Sequence, residues 1–185
     1  KDNVFAHNML GMAYFEKGKT DKAIDHLNQA IHISPNFFLS YQYLGNIYRD
    51  TGRHDLAIRH YNESIRLMPD KVESYYGRGS SYIEMKQYQP AINDLNTSIR
   101  LKPDYADAFN NRAFIFLMLD QYQKALEDYN RAILAKPYHA KALNNRAFIY
   151  LSTGNTGPGC LDAEKACKLG ICSTLQLAKE KGLCR

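Results

Sequence analysis

Apolar and polar positions along this chain repeat with the spacing of an α-helix, and they do so in couplets. Over 38–71, Tyr41, Leu44, Gly45 and Tyr48 fall at i, i+3, i+4 and i+7, which is one face of a helix. Gly52 interrupts the pattern, and Ala57, Tyr61 and Ile65 then mark one face of a second helix. Gly18 and Gly154 stand at the equivalent break in other couplets, where a chain leaving a helix often needs positive φ. Pro90 and Pro158 fall in the first turn of their second helices, where a missing N–H costs little.

The couplets keep a strict period. Pro35, Pro69, Pro103 and Pro137 are each 34 residues apart, and each ends a matching phrase: AIDHLNQAIHISP, AIRHYNESIRLMP, AINDLNTSIRLKP and ALEDYNRAILAKP. Ala23, Ala57, Ala91 and Ala125 keep step, as do Tyr14, Tyr48, Tyr82, Phe116 and Tyr150. A period of this length predicts an all-α solenoid of helical hairpins, because one hairpin cannot bury its own apolar face. The chain reads as a single domain over 1–185 with units 4–37, 38–71, 72–105 and 106–139, and a degenerate fifth at 140–171. A non-repeating helical bundle would not keep four prolines in register.

These residues resemble the tetratricopeptide repeat. Its pattern is a large or aromatic residue at position 4, Leu-Gly at 7 and 8, Tyr at 11, Ala at 20, an aromatic or Leu at 24, Ala at 27 and Pro at 32. The first unit supplies His7, Leu10, Gly11, Tyr14, Ala23, Leu27, Ala30 and Pro35. The resemblance covers nearly the whole chain and implies a right-handed solenoid of helix-turn-helix hairpins. Small residues at positions 8 and 20 would let paired helix backbones approach closely.

The resemblance also implies a function. In that family the first helix of each hairpin lines a concave groove that holds another polypeptide, through positions 2, 5, 6, 9, 12 and 13. Carried over by register toward the N-terminus, these include Phe5, Asn8, Met9, Met12, Gln42, Tyr43, Asn46 and Arg49. Toward the C-terminus they include Tyr76, Asn110, Asn111, Phe114, Lys141, Asn144, Asn145 and Phe148. Asn is a poor helix former, yet NNRAF occurs at 110–114 and again at 144–148. An amide both donates and accepts, so a row of them could pair with a partner's main chain whatever its sequence. This looks like the asparagine ladder of the O-linked N-acetylglucosamine transferase array, matched at Asn111 and Asn145; Met9, Tyr43 and Gly77 stand there in the other units. The alternative is that these amides are simply solvated on an inner surface. The carboxylate clamp of chaperone-binding relatives is matched at only two of five positions in its closest register (Tyr76, Ser80, Asn111, Lys141, Asn145), so no clamp is expected.

The repeats also align internally. Position 7 is Leu10 and Leu44, then Arg78, Arg112 and Arg146; position 23 is His26 and His60, then Asp94, Asp128 and Asp162. Arg on an otherwise apolar face needs a partner, so an Arg–Asp bridge across the hairpin is expected three times. Shared duplication history without contact is the alternative.

Composition narrows the class without changing it. Hydrophobic residues make up 45% and charged residues 23%, ordinary values for a globular chain. The net charge is +5 with both signs interleaved and no long like-charge run, so no nucleic-acid partner is expected. RNA-binding helical repeats need a basic inner face, and the lining residues above are mainly neutral. No apolar stretch is long enough to span a membrane, and no direct membrane insertion is expected. The chain opens on Lys1, as a processed or partial chain does, and an export signal or anchor could lie upstream.

No cofactor, metal or catalytic site is expected. The six histidines show no HExxH spacing, and no phosphate-binding loop of the G-x-x-x-x-G-K-S/T kind occurs. The GNTGPG stretch at 154–159 reads as the inter-helix turn. A non-enzymatic scaffold is the leading reading, and the accessory domain of a larger, membrane-associated enzyme or assembly complex is the alternative.

The first 159 residues lack cysteine, and Cys160, Cys167, Cys172 and Cys184 then arrive together. Ser173 and Gln176 match a capping box and Gly182 a helix stop, so a final helix over about 173–181 is expected to cover the last hairpin. Cys160 and Cys167 sit about 10.5 Å apart along one helix, beyond the roughly 7 Å reach of a bridge. A cap folding back antiparallel would favour the nested pairs Cys167–Cys172 and Cys160–Cys184. Zinc and reduced thiols remain the alternatives, although no C-x-x-C knuckle is present. Disulfides would imply an extracytoplasmic setting, periplasmic or membrane-tethered on the outer side. The end of the chain is similar to that of bacterial tetratricopeptide proteins with a cysteine-bearing cap.

Overall fold

The computed structural model describes residues 3–184, and among them every element is helical. Five hairpins succeed one another: α1 (Val4–Glu16) with α2 (Thr20–Ile33), α3 (Phe38–Asp50) with α4 (His54–Leu67), α5 (Val72–Glu84) with α6 (Tyr88–Leu101), α7 (Ala106–Met118) with α8 (Tyr122–Ala135), and α9 (Ala140–Ser152) with α10 (Thr156–Lys168). A short α11 (Ser173–Glu180) ends the chain. By contact the chain forms two compact units, Lys1–Leu101 and Lys102–Arg185.

Each hairpin is held by the small residues that the period keeps in place. Ala23, Ala57, Ala91 and Ala125 are fully buried. Opposite them, a Cβ on Gly11 would sit 2.7 Å from Leu27 Cγ, and one on Gly45 would sit 2.7 Å from Tyr61 Cε1. Both distances are inside van der Waals contact, so close helix approach requires glycine there. The turn between paired helices repeats as well. Gly18, Gly52 and Gly154 have positive φ, but Lys86 and Asp120 adopt the same left-handed conformation in the third and fourth hairpins. The turn geometry therefore survives without glycine, at a conformational cost of about 1–2 kcal/mol.

In the first unit, α2 packs on α3 and α4 on α5, so the first helices α1, α3 and α5 lie side by side. Leu27, Leu44 and Ile47 form its buried centre, flanked by Tyr14, Phe15 and Tyr43. In the second unit, α8 packs on α9, and α11 packs on both α9 and α10. The first-helix row there is α7, α9 and then α11, which takes the place a further hairpin's first helix would occupy.

Two disulfides clamp this cap to α10. Cys160 bonds Cys184 and Cys167 bonds Cys172, with Cα–Cα distances of 5.7 and 4.1 Å. No helix of the described residues is long and apolar enough to cross a membrane.

The expected capping box at Ser173 and Gln176 does not form. Cys172 is the N-cap residue and its side chain makes no cap bond. Asn144 caps α11 instead: its Oδ1 accepts from the Thr174 N–H at 3.3 Å and from Ser173 Oγ at 3.2 Å. A tertiary partner on α9 thus replaces the local one.

Candidate functional site

The first-helix face divides into side chains turned outward and side chains spent on joining one hairpin to the next. Position 5 belongs to the joint, which corrects the groove assignment for three residues. Asn8, Gln42 and Asn110 are each at most 6% exposed. Asn8 Oδ1 accepts from Ser40 Oγ at 3.1 Å, at position 3 of the next first helix. Asn144 makes the corresponding contact with the cap, where Ser173 Oγ donates to its Oδ1 at 3.2 Å and Thr174 Oγ1 to its main-chain carbonyl at 3.3 Å. Elsewhere the amide is left short. Asn110 faces the Ala142 register, which has no hydroxyl, and its Oδ1 has no hydrogen-bond partner. Gln42 Oε1 also has none, the Ser74 hydroxyl in the matching register being paired with Ser64 at 2.8 Å. Asn144 therefore lies under the cap and not in an open groove.

The remaining positions stay at the surface. In the first unit Met12, Tyr43, Asn46 and Arg49 border a cavity of about 170 Å³ between α1 and α3. Phe15, Glu16 and Asp50, at positions 12 and 13 of their hairpins, complete it together with Ile47, which the lining register does not include. Arg49 donates from Nε to Asp50 Oδ1 at 2.9 Å, forming an ion pair with its chain neighbour. Burial works against the Arg49 charge, but Tyr61, Asp50 and Tyr76 more than offset it and hold its pKa above the usual value. Tyr76 on α5 is half-buried. Phe5 and Met9 are well exposed on α1, with the Phe5 ring edge-on to Phe37 at 5.0 Å.

In the second unit the two NNRAF segments give one local arrangement twice. Asn110 Nδ2 donates to Asn111 Oδ1 at 3.2 Å, and Asn144 Nδ2 donates to Asn145 Oδ1 at 3.4 Å. The amide at position 5, buried in Asn110 and half-buried in Asn144, thereby orients the half-exposed amide at position 6. Asn145 also lies toward the buried Tyr129 phenol. Burial raises that phenol's pKa and Asn145 pulls it back slightly, but the contact falls short of a well-formed hydrogen bond. Phe114 is half-buried on α7, and Lys141 is exposed at the start of α9. Phe148 borders a smaller cavity of about 70 Å³ between α9 and α11, closed by Leu177 and Leu183 from the cap.

The arginines at position 7 serve the hairpins. Arg78 Nη2 lies 2.7 Å from Asp94 Oδ1, Arg112 Nε 2.7 Å from Asp128 Oδ2, and Arg146 Nε 2.7 Å from Asp162 Oδ2. Each pair is two-pronged, with a second N–H on the other carboxylate oxygen. A third donor goes one hairpin back: Arg78 Nη1 to Asn62 Oδ1 at 2.7 Å, and Arg146 Nη1 to Asn130 Oδ1 at 2.6 Å. Sequence reasoning missed these asparagines, although Asn28, Asn62, Asn96 and Asn130 recur every 34 residues. In the first two hairpins stacking replaces the bridge, with His26 on Tyr14 and His60 on Tyr48, both at 5.2 Å between centroids.

Comparison with known proteins agrees with this geometry. A family model described as tetratricopeptide repeat matches residues 4–37 and 106–139, and one described as TPR repeat matches 45–86 and 79–120. The crystal structure of MamA is 27% identical, covering 86% of this chain and 93% of that one, with a TM-score of 0.77. PilF of Pseudomonas aeruginosa is 19% identical over 97% of this chain and 84% of its own, with a TM-score of 0.87. YrrB, described as a TPR protein with an unusual peptide-binding site, is 16% identical over 97% of this chain and 93% of its own, with a TM-score of 0.75. The last two show likeness of fold alone. No curated protein matches the chain significantly.

Proposed function

Because the chain belongs to the tetratricopeptide repeat family, we propose that it is a scaffold whose first-helix face holds a segment of a partner polypeptide. The observation that carries this reading is the cavity between α1 and α3, which combines apolar walls with Asn46 and Arg49 on the expected face. In the second unit Asn111, Asn145 and Phe114 present amides and an aromatic ring in the matching register. Amides would pair with the partner's main chain, and the apolar walls would take its side chains. The role proposed is binding, with no catalytic step and no nucleic-acid partner.

The setting proposed is extracytoplasmic. Both disulfides bridge cysteines of the cap region, and such bonds persist in oxidising compartments.

Tyr43→Glu and Phe114→Glu test the binding face. Each places a charge where an apolar partner group would rest, and each site is only partly buried, so the fold should persist. Loss of partner binding with unchanged helicity supports the reading. Undiminished binding by both stably folded variants contradicts it.

A further inference from the structure

We propose that the cavity between α1 and α3 receives a long basic side chain, lysine or arginine, projecting from a segment laid along the first helices. This rests on the groove reading above and adds the chemistry of what the groove selects.

The walls are apolar, with Met12 and Phe15 contributed by α1 and Tyr43 and Ile47 by α3. The rim is charged and unevenly paired. Arg49 is committed to Asp50, with Nη2 at 2.8 Å and Nε at 2.9 Å from the same carboxylate oxygen. Glu16, on the α1 side of the rim, has no ion-pair partner among the described residues. Glu16 and Asp50 against Arg49 leave the rim with one net negative charge.

Apolar walls ending at an uncompensated carboxylate match a side chain with an aliphatic stem and a cationic head, which buries the stem and keeps the head at the rim. The Tyr43 and Phe15 rings add attraction for a cation passing over them. A carboxylate side chain would face Glu16 and would have to displace Asp50 from Arg49. A plain aliphatic side chain would fill the walls without engaging Glu16. Asn46 supplies the main-chain contact. Its Oδ1 already accepts from the Tyr61 hydroxyl at 2.7 Å, which leaves Nδ2 to donate to a partner carbonyl.

The test uses the isotopically labelled chain and three extended peptides, acetyl-Gly-Ser-X-Ser-Gly-amide, with X as lysine, norleucine or glutamate. Signals from Met12 and Tyr43 are followed by NMR during titration. The lysine peptide should shift them saturably and bind about three- to fivefold more tightly than norleucine, the upper part of the range of a solvent-exposed ion pair, with glutamate weakest. Glu16→Gln should remove the lysine advantage and leave norleucine unchanged. Equal or better binding of norleucine or glutamate, or a lysine preference that survives Glu16→Gln, would overturn the proposal. So would the absence of any shift at Met12 and Tyr43 with all three peptides. None of these outcomes decides the groove reading, which stands or falls on whether a full partner loses binding when Tyr43 and Phe114 carry charge.

Discussion

Tyr61 occupies the space that a side chain on Gly77 would need. The phenol of Tyr61 is fully buried, donates to Asn46 Oδ1 at 2.7 Å, and lies so close to Gly77 that a Cβ there would collide with it. Position 24 of one hairpin thus reaches under position 6 of the next, and glycine at 77 is what the large phenol requires. Gly77→Ala should destabilise the protein by about 1–3 kcal/mol, the usual cost of overpacking. Adding Tyr61→Leu should recover part of the loss by removing the clashing ring. Chemical denaturation of the single and double variants checks this, and a neutral Gly77→Ala would refute it.

The Arg112–Asp128 pair is expected to couple strongly. Asp128 is 8% and Arg112 20% exposed at the side chain, so removing one partner leaves a poorly solvated charge. Asp128→Ala should cost about 2–4 kcal/mol, toward the lower part of the range for a broken buried pair. Arg112→Leu with Asp128→His copies the Leu and His found at these positions in the first two hairpins. This double variant should cost at least about 1 kcal/mol less than the sum of its singles. Additive losses would show that the two residues do not act as a pair.

Acid should weaken the second hairpin through His60. The ring stacks on Tyr48, and burial holds its pKa below the ordinary value despite an opposing effect from Glu63. A histidine lowered in this way takes up its proton more readily in the unfolded chain. Its contribution is complete above the unfolded value of about 6.5 and is lost as pH falls from there through the folded value. Melting temperatures measured at about pH 7.5 and pH 5 should therefore fall less for His60→Phe than for the wild type. An identical fall would assign the acid sensitivity elsewhere.

The hairpins were legible in the sequence because every unit reuses the same contacts. Alanine at position 20 and a small residue at position 8 must recur wherever two helices approach closely. The role of position 5 was hidden, because burial of Asn8 depends on Ser40 in the next hairpin, and burial of Asn110 likewise depends on the hairpin after its own. The capping of α11 was hidden for the same reason, since Asn144 lies far upstream of Ser173. The cavity residues Phe15, Glu16 and Asp50 stand near first-helix ends at positions 12 and 13 of the lining register, whereas Ile47, at position 10, lies outside it.

The cap should depend on its sulfur chemistry. Only Thr174 and Ala178 of α11 are buried, whereas disulfides hold the chain on both sides of the helix. Closing the 24-residue Cys160–Cys184 loop contributes about 3 kcal/mol in the chain-entropy account. Unreduced protein should show no alkylatable thiol by mass spectrometry. Reduction should raise hydrogen exchange in 173–180 while α5 keeps its protection. Four free thiols in the protein as isolated would overturn the bridges and the oxidising setting together.

A partner held along the first helices can be located by site-specific photo-crosslinking. A photoreactive residue is placed at Tyr43, at Phe114, or at Leu134, which is 76% exposed on the second helix α8. The captured partner should crosslink from 43 and 114 and not from 134. Crosslinks from 134, with none from 43 or 114, would contradict binding along the first helices.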